Sequence, residues 1–241
     1  MPPPLFFGSF GSGVFLPALR RIAGQASEME LFQDVFAFET HDLDAEWRAQ
    51  HGTFMDACPR GHGYYLWKPQ AVVQMLERMP EGAVLVYADA GCDLVKEGRP
   101  RLLEYVAMVA AHPSAVLAFA LDHPECAWTK MDVLRALEFD GPEQLHTPQH
   151  ASGIFLIHNV AAGRDFARTW RDIVTCDYRF VADYPSGVPN HPSFREHRHD
   201  QSVYSILVKK RQCVSIPDET WWAPDWDGHR QYPIHARRRR D

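Results

Sequence analysis

The run Val84-Leu85-Val86-Tyr87-Ala88 ends abruptly in Asp89-Ala90-Gly91-Cys92-Asp93. Five apolar residues rich in β-formers predict a strand buried on both faces. Asp89 then stands at the strand's exit, and Asp93 follows across a turn that Gly91 permits. Two hard oxygen donors around one turn suit Mg²⁺ or Mn²⁺, which keep positions open for substrate phosphates. The plainer alternative is that Asp89 caps the turn and Asp93 is solvated. Paired carboxylates also serve glycoside hydrolases, but those flank the bond from opposite sides, and two on one turn are badly placed for that. A second candidate, Asp200-Gln201, follows His197-Arg198-His199 and opens a helical pattern. An Asp there is commonly an N-cap, while a carboxylate beside an amide can also orient sugar hydroxyls. His197 and His199 at i and i+2 on a loop fall short of a metal set. A third segment, Phe10-Gly11-Ser12-Gly13, reads as a glycine turn or a phosphate cradle and does not match the dinucleotide fingerprint. The fourth is Gly61-His62-Gly63-Tyr64-Tyr65-Leu66-Trp67-Lys68-Pro69. Here Lys68 is either a solvated lysine in an aromatic loop or a point charge for a diphosphate. Cys92 has no His placed by sequence to activate it and reads as a small buried residue.

Alternating elements must position these residues. Gln33–Phe38 reads as a strand, and Asp44–Cys58 as a helix with Asp42 or Asp44 as N-cap. Pro69 starts a helix whose Val72, Val73, Leu76 and Met79 recur at helical spacing. Helices are also predicted over Arg101–Ala111, Met131–Leu137, Ala161–Val174 and Gln201–Val208. Strands are predicted over Ala115–Leu121, Gly153–Ile157 and Val214–Ile216. Trp221–Tyr232 is aromatic, rich in Pro and Asp, and aperiodic. Continuous apolar strands alternating with helices predict an α/β fold, a three-layer α/β/α sandwich with a mostly parallel central sheet. In such folds ligands bind beyond the strands' carboxyl ends.

Composition narrows the classes. The 241 residues are 46% hydrophobic and 23% charged, a globular balance for one domain spanning residues 1–241. The longest apolar run, Ala115–Leu121, is far short of the ~20 residues a membrane helix needs. Met1–Phe7 lacks the features of a secretory signal, and five scattered cysteines without a C-x-x-C pair suit a reducing compartment, so the expectation is cytoplasmic. A net charge of −6 argues against nucleic acid as a partner. Arg237-Arg238-Arg239-Arg240 is the local exception, read as a solvated tail or a peripheral dock for anionic lipid or phosphate at the inner membrane face.

Three segments together carry a resemblance: Gly63-Tyr64-Tyr65-Leu66-Trp67-Lys68-Pro69, Val84-Leu85-Val86-Tyr87-Ala88-Asp89-Ala90-Gly91-Cys92 and His199-Asp200-Gln201-Ser202-Val203-Tyr204-Ser205. In order and spacing they resemble a branch of the GT-A-fold glycosyltransferases, from about Phe10 to Arg238. The resemblance implies a GT-A-like fold and transfer of a sugar from a nucleotide-diphosphate donor to a glycan or lipid-linked acceptor, as in polysaccharide biosynthesis. It implies a divalent metal, Mn²⁺ or Mg²⁺, on a D-x-D motif whose first Asp is matched by Asp89 and whose second position holds Gly91 instead. Asp93 is the substitute, and His235, preferred over His229, is the late metal-binding histidine. Gly11, Ser12, Gly13, Trp67, Lys68, Tyr87, Ser152 and Gly153 would line the donor site. Asp200 and Gln201 would be catalytic beside the anomeric carbon, with retention of configuration. Residues 217–241 would complete the site, with Trp221, Trp222 and Trp226 stacking on acceptor sugars. A sugar nucleotidyltransferase and an inactive sugar-binding module are the alternatives.

Overall fold

In a computed structural model, which describes residues 2–241, the apolar runs become the middle of a sheet. The strands are β1 (Leu5–Phe10), β2 (Asp34–Phe38), β3 (Val84–Ala88), β4 (Asp93–Leu94), β5 (Val116–Pro124), β6 (Pro148–His158), β7 (Val214–Pro217) and β8 (Ile234–His235). Six form one sheet in the order β2-β1-β3-β6-β5-β7, and β4 pairs with β8 in a small ribbon. β1 runs parallel to β2 and β3, and β7 runs parallel to β5. β6 is antiparallel to both its neighbours, so the sheet is mostly parallel with one reversed strand.

Alternation along β3 explains the three layers, because successive side chains of a strand point to opposite faces. Leu85 and Tyr87 enter a core shared with Val72 and Leu76 of helix Trp67–Arg78, Phe166 and Trp170 of helix Ala161–Cys176, and Val203 of helix Asp200–Lys210. Val84, Val86 and Ala88 enter a second core with Ile22 of helix Leu16–Glu28 and Leu102 and Val106 of helix Arg99–Ala111. No helix among the described residues is long and apolar enough to cross a membrane.

Several boundaries differ from the sequence reading, each for a local reason. Asp44 caps helix Ala45–Ala57, accepting from Trp47 N–H at 2.8 Å, while Asp42 closes the preceding single turn by accepting from Glu39 N–H at 2.8 Å. The helix assigned to start at Pro69 starts at Trp67, because a missing N–H is harmless anywhere in a first turn. The strand expected from Gly153 begins at Pro148, since the polar Gln149, His150 and Ser152 are buried and bonded to other side chains. β1 and helix Leu16–Glu28 had no counterpart in the sequence reading. The helix buries only Ala18, Leu19, Ile22 and Ala26, a stripe interrupted by polar residues.

Candidate active site

The structure gathers residues at the exit of β3 and the entrance of the reversed strand β6. Asp89 N–H donates to the Gly153 carbonyl at 2.8 Å, one bond beyond the Ala88–Ile154 pair. Lys68 arrives from the first turn of helix Trp67–Arg78 and is 2% exposed. Its ammonium lies 3.1 Å from Asp89 Oδ1 and 3.5 Å from Asp200 Oδ2, and it donates to the Ser152 carbonyl at 3.4 Å. Asp200 opens its helix, is also 2% exposed, and accepts from Ser152 Oγ at 2.8 Å. The Tyr87 hydroxyl donates to Asp89 Oδ1 at 3.1 Å. Lys68, Tyr87, Asp89, Ser152, Gly153 and Asp200 therefore converge. Gly11, Ser12 and Gly13 leave β1 beside them, since the β1–β3 register sets Gly8 against Tyr87.

One buried cation serves two carboxylates here. Burial pushes the Asp200 carboxyl up to about 6; Lys68 pulls it down and Asp89 pushes it up further. Burial works against the charge of Lys68, yet Asp200 and Asp89 hold its proton more firmly than water would. Burial, with Asp89 beside it, keeps the Tyr87 phenol protonated, so it is a fixed donor. Burial also pushes the Cys92 thiol well up, which leaves it no thiolate for nucleophilic work. Asp89 is the open member of the cluster, with 35% of its side chain exposed. Lys68, read from sequence as either a solvated lysine or a point charge for a diphosphate, is sealed beneath the two aspartates and sets their positions.

The segment before Lys68 has an uncommon backbone. Gly61, His62, Gly63, Tyr64 and Tyr65 all have positive φ, from 49° to 83°, which makes a left-handed turn. Left-handed L-residues cost roughly 1–2 kcal/mol each, so surrounding contacts must hold them. Gly63 N–H donates to the Cys58 carbonyl at 2.7 Å, and a Cβ on Gly63 would stand 2.8 Å from Met55 Cα. Trp67 Nε1–H donates to the Gly61 carbonyl at 2.9 Å, and its ring stacks on Phe10 at 3.8 Å. Trp67 is thus buried support for the turn and presents no face to a donor. His199 also has positive φ, 55°, and its Nδ1–H donates to the Val181 carbonyl at 2.7 Å. Tyr64 and Tyr65 pack against its ring, fixing the entry to Asp200.

Gln201 is tied inward. Its Oε1 accepts from Ser152 N–H at 3.3 Å, and its Nε2 donates to Gln149 Oε1 at 2.8 Å. Gln149 donates in turn to Glu125, which is 0% exposed and also receives Thr129, Ser205 and Lys209. Gln201 therefore positions the Ser152 strand, with both ends of its amide engaged inside the protein. This buried network escaped the sequence reading, and the acidic Glu125 next to Cys126 gave no periodic signal.

The metal expectation fares differently. Asp93 is buried and held by Arg21 at 3.0 Å, Arg239 at 3.4 Å and Arg237 at 3.5 Å, with Gln25 donating at 3.2 Å. His235 pairs with Asp93 across the β4–β8 ribbon, is buried, and sets its Nε2 3.1 Å from the His229 carbonyl. Among the described residues no three His, Cys, Asp or Glu side chains form a metal-binding group. Asp93 is already surrounded by three guanidinium groups, and His235 is engaged with a backbone carbonyl, which leaves Asp89 as the one open oxygen donor of the three residues expected to hold a metal. The donor set does not fit a resident divalent ion, and Asp93 and His235 are parts of the ribbon's packing.

The glycine in the second motif position has a packing cause. Arg239 N–H donates to the Gly91 carbonyl at 2.9 Å, and a Cβ on Gly91 would meet Arg238 Cα at 3.2 Å and the Arg239 carbonyl at 3.3 Å. The arginine run, read as a solvated tail or a peripheral dock for anionic lipid or phosphate, is folded across this turn. Of the three tryptophans, Trp222 stacks on both His229 and Tyr232, and Trp226 packs near His235 and Arg237. Trp221 alone is open, 45% exposed.

No protein-family model matches the sequence, and no curated protein matches it. Solved structures do. A glycosyltransferase involved in the glycosylation of the major capsid of PBCV-1 is 11% identical, with 97% of this chain and 92% of that chain covered at a TM-score of 0.55. Mouse xyloside xylosyltransferase 1 in its apo form is 13% identical, with 97% of each chain covered and a TM-score of 0.49. The galactosyltransferase LgtC, in complex with donor and acceptor sugar analogs, is 10% identical over 95% of this chain and 86% of that one, with a TM-score of 0.47. The first likeness runs nearly the full length of both chains and shows the fold: the GT-A-like α/β architecture expected from the sequence.

Proposed function

We propose that this chain is a glycosyltransferase, one domain over residues 1–241, moving a sugar from a nucleotide-diphosphate donor to a hydroxyl of a glycan or lipid-linked acceptor. The observation that carries the reading is the Lys68–Asp89–Asp200 cluster at the carboxyl edge of β3 in a GT-A-like fold. Asp89, the exposed carboxylate, accepts hydroxyls of the donor. Lys68 and Tyr87 hold it in one rotamer, which prepays the ordering that binding would otherwise cost. Asp200 lies behind it as a second negative charge, in a dry setting where charge acts strongly on an oxocarbenium-like centre. Ser152 and Gln201 fix the strand that carries this edge. Gly11–Gly13 and Trp221 border the opening, and residues 217–241 close it. The resemblance adds an expectation of retained configuration, which the anomeric NMR signal of the product reads.

The test is incubation with UDP-, GDP-, CDP- and dTDP-sugars, with EDTA or Mn²⁺, reading nucleoside diphosphate release. One donor should be consumed, and Asp89→Ala should abolish release while the protein still melts cooperatively. Consumption of none of the donors in either condition, with no thermal shift from any, overturns the reading.

A further inference from the structure

Asp93 anchors the arginine segment through every second residue. Arg237 and Arg239 turn to its carboxylate. Arg238 and Arg240, between and beyond them, have no carboxylate within ion-pair distance among the described residues. Both are exposed. The Arg238 guanidinium lies over the Trp221 ring at 4.9 Å, and that of Arg240 over Phe15 at 5.6 Å. Phe15 follows the Gly11–Gly13 turn, so Arg240 stands at the exit of β1 and Arg238 beside the exit of β3.

Arg198 sits over Trp128 at 4.1 Å, immediately before His199 and Asp200, and its nearest carboxylate, Glu196, is 3.8 Å away. Burial lowers the hold of Arg198 on its proton, and the neighbouring charges of Arg238 and Arg60 lower it further, with Glu196 opposing. Arg198 therefore has an acid partner, which Arg238 lacks among the described residues. Gly91, where a second motif aspartate would stand, is covered by the backbone that presents Arg238.

We propose that Arg238, held over Gly91 by the Asp93 anchor, seats the diphosphate of the donor, so that a guanidinium group of this chain balances its charge in place of a divalent ion. The proposal rests on the transferase reading and specifies its diphosphate site. Guanidinium forks match phosphate oxygens two at a time and stay charged at every working pH, which suits a group that must stabilise a leaving diphosphate.

The experiment is calorimetric titration of the full chain with UDP, GDP, CDP and dTDP, with the monophosphate of whichever binds, and with inorganic pyrophosphate, each in EDTA and in Mn²⁺. The expected result is diphosphate binding in EDTA within about threefold of that in Mn²⁺. Arg238→Ala should weaken the diphosphate by about tenfold or more, the monophosphate less, and leave the melting temperature unchanged. Arg238→Lys should recover part of the loss. Binding that requires Mn²⁺, or binding in EDTA that Arg238→Ala leaves intact, overturns the proposal while the transferase reading stands. Binding of no nucleotide in either condition, with no donor consumed, overturns both.

Discussion

Replacing Asp200 by Asn should make the protein more stable and less active, and the gain in stability should depend on pH in a defined sense. The carboxyl ionises at 3.8 as a free group and at about 6 in the folded chain. Each pH unit between those values is worth about 1.4 kcal/mol, so the ionised carboxylate costs the folded chain about 3 kcal/mol at pH 7.5. The folded chain keeps this proton up to about pH 6 and the unfolded chain loses it near 3.8. Wild-type stability therefore falls through this group as pH rises from about 4 to about 6, then stays level. Asparagine has the same shape, can still accept from Ser152 Oγ, and carries no such penalty. Asp200→Asn should melt roughly 6–12 °C above wild type at pH 7.5 for a domain of this size, and the two should converge near pH 4. Thermal melts by circular dichroism at pH 4, 5, 6 and 7.5 read the difference, which cancels the titration of all other carboxylates. Sugar transfer should fall in the same variant. A variant less stable than wild type at pH 7.5, or a gap that does not close on acidification, would refute the electrostatic account of the cluster.

Asp93→Ala should destabilise by about 3–5 kcal/mol, because Arg21, Arg237 and Arg239 lose their common partner, and added Mn²⁺ should make no difference to the melting temperature. Ser152→Ala should cost about 1–3 kcal/mol through the lost bond to Asp200 and move the acidic limb of the activity–pH profile upward, read by initial rates. Gly63→Ala should destabilise by at least about 2 kcal/mol, because it combines a φ of +83° with a Cβ pressed on Met55; denaturant titration measures it.

Asp89 was legible because a run of apolar β-formers stops at it, and the site of an α/β fold lies where strands stop. Lys68 was legible as a position, but its role was inverted. Nothing local in Trp67-Lys68-Pro69 says that two aspartates from distant segments will close over it. Gly61 and Gly63 announce positive φ, whereas His62, Tyr64 and Tyr65 share that conformation without any local signal for it. Glu125 and Gln149 gave no signal at all, since burial of a hydrogen-bonded polar set leaves no hydrophobic period. Four arginines in a row read as a solvated tail or a peripheral dock for anionic lipid or phosphate. Their division into two that bind Asp93 and two that do not depends on a partner far away in the chain.

The reversed strand has a consequence for how this protein can vary. Because β6 runs against β3, the residue leaving one strand lies beside the residues entering the other, and Asp89 is joined to Gly153 by a rung of the sheet itself. Their separation is thus gauged in strand steps of about 3.4 Å, and a slip of one residue would turn Ser152 to the opposite face. The loops that join the elements between Gly91 and Thr147 can lengthen at small entropic cost, since closing a longer loop adds only about 0.6 kcal/mol per doubling. Insertions there would reshape the rim and leave the gauge between carboxylate and hydroxyl untouched.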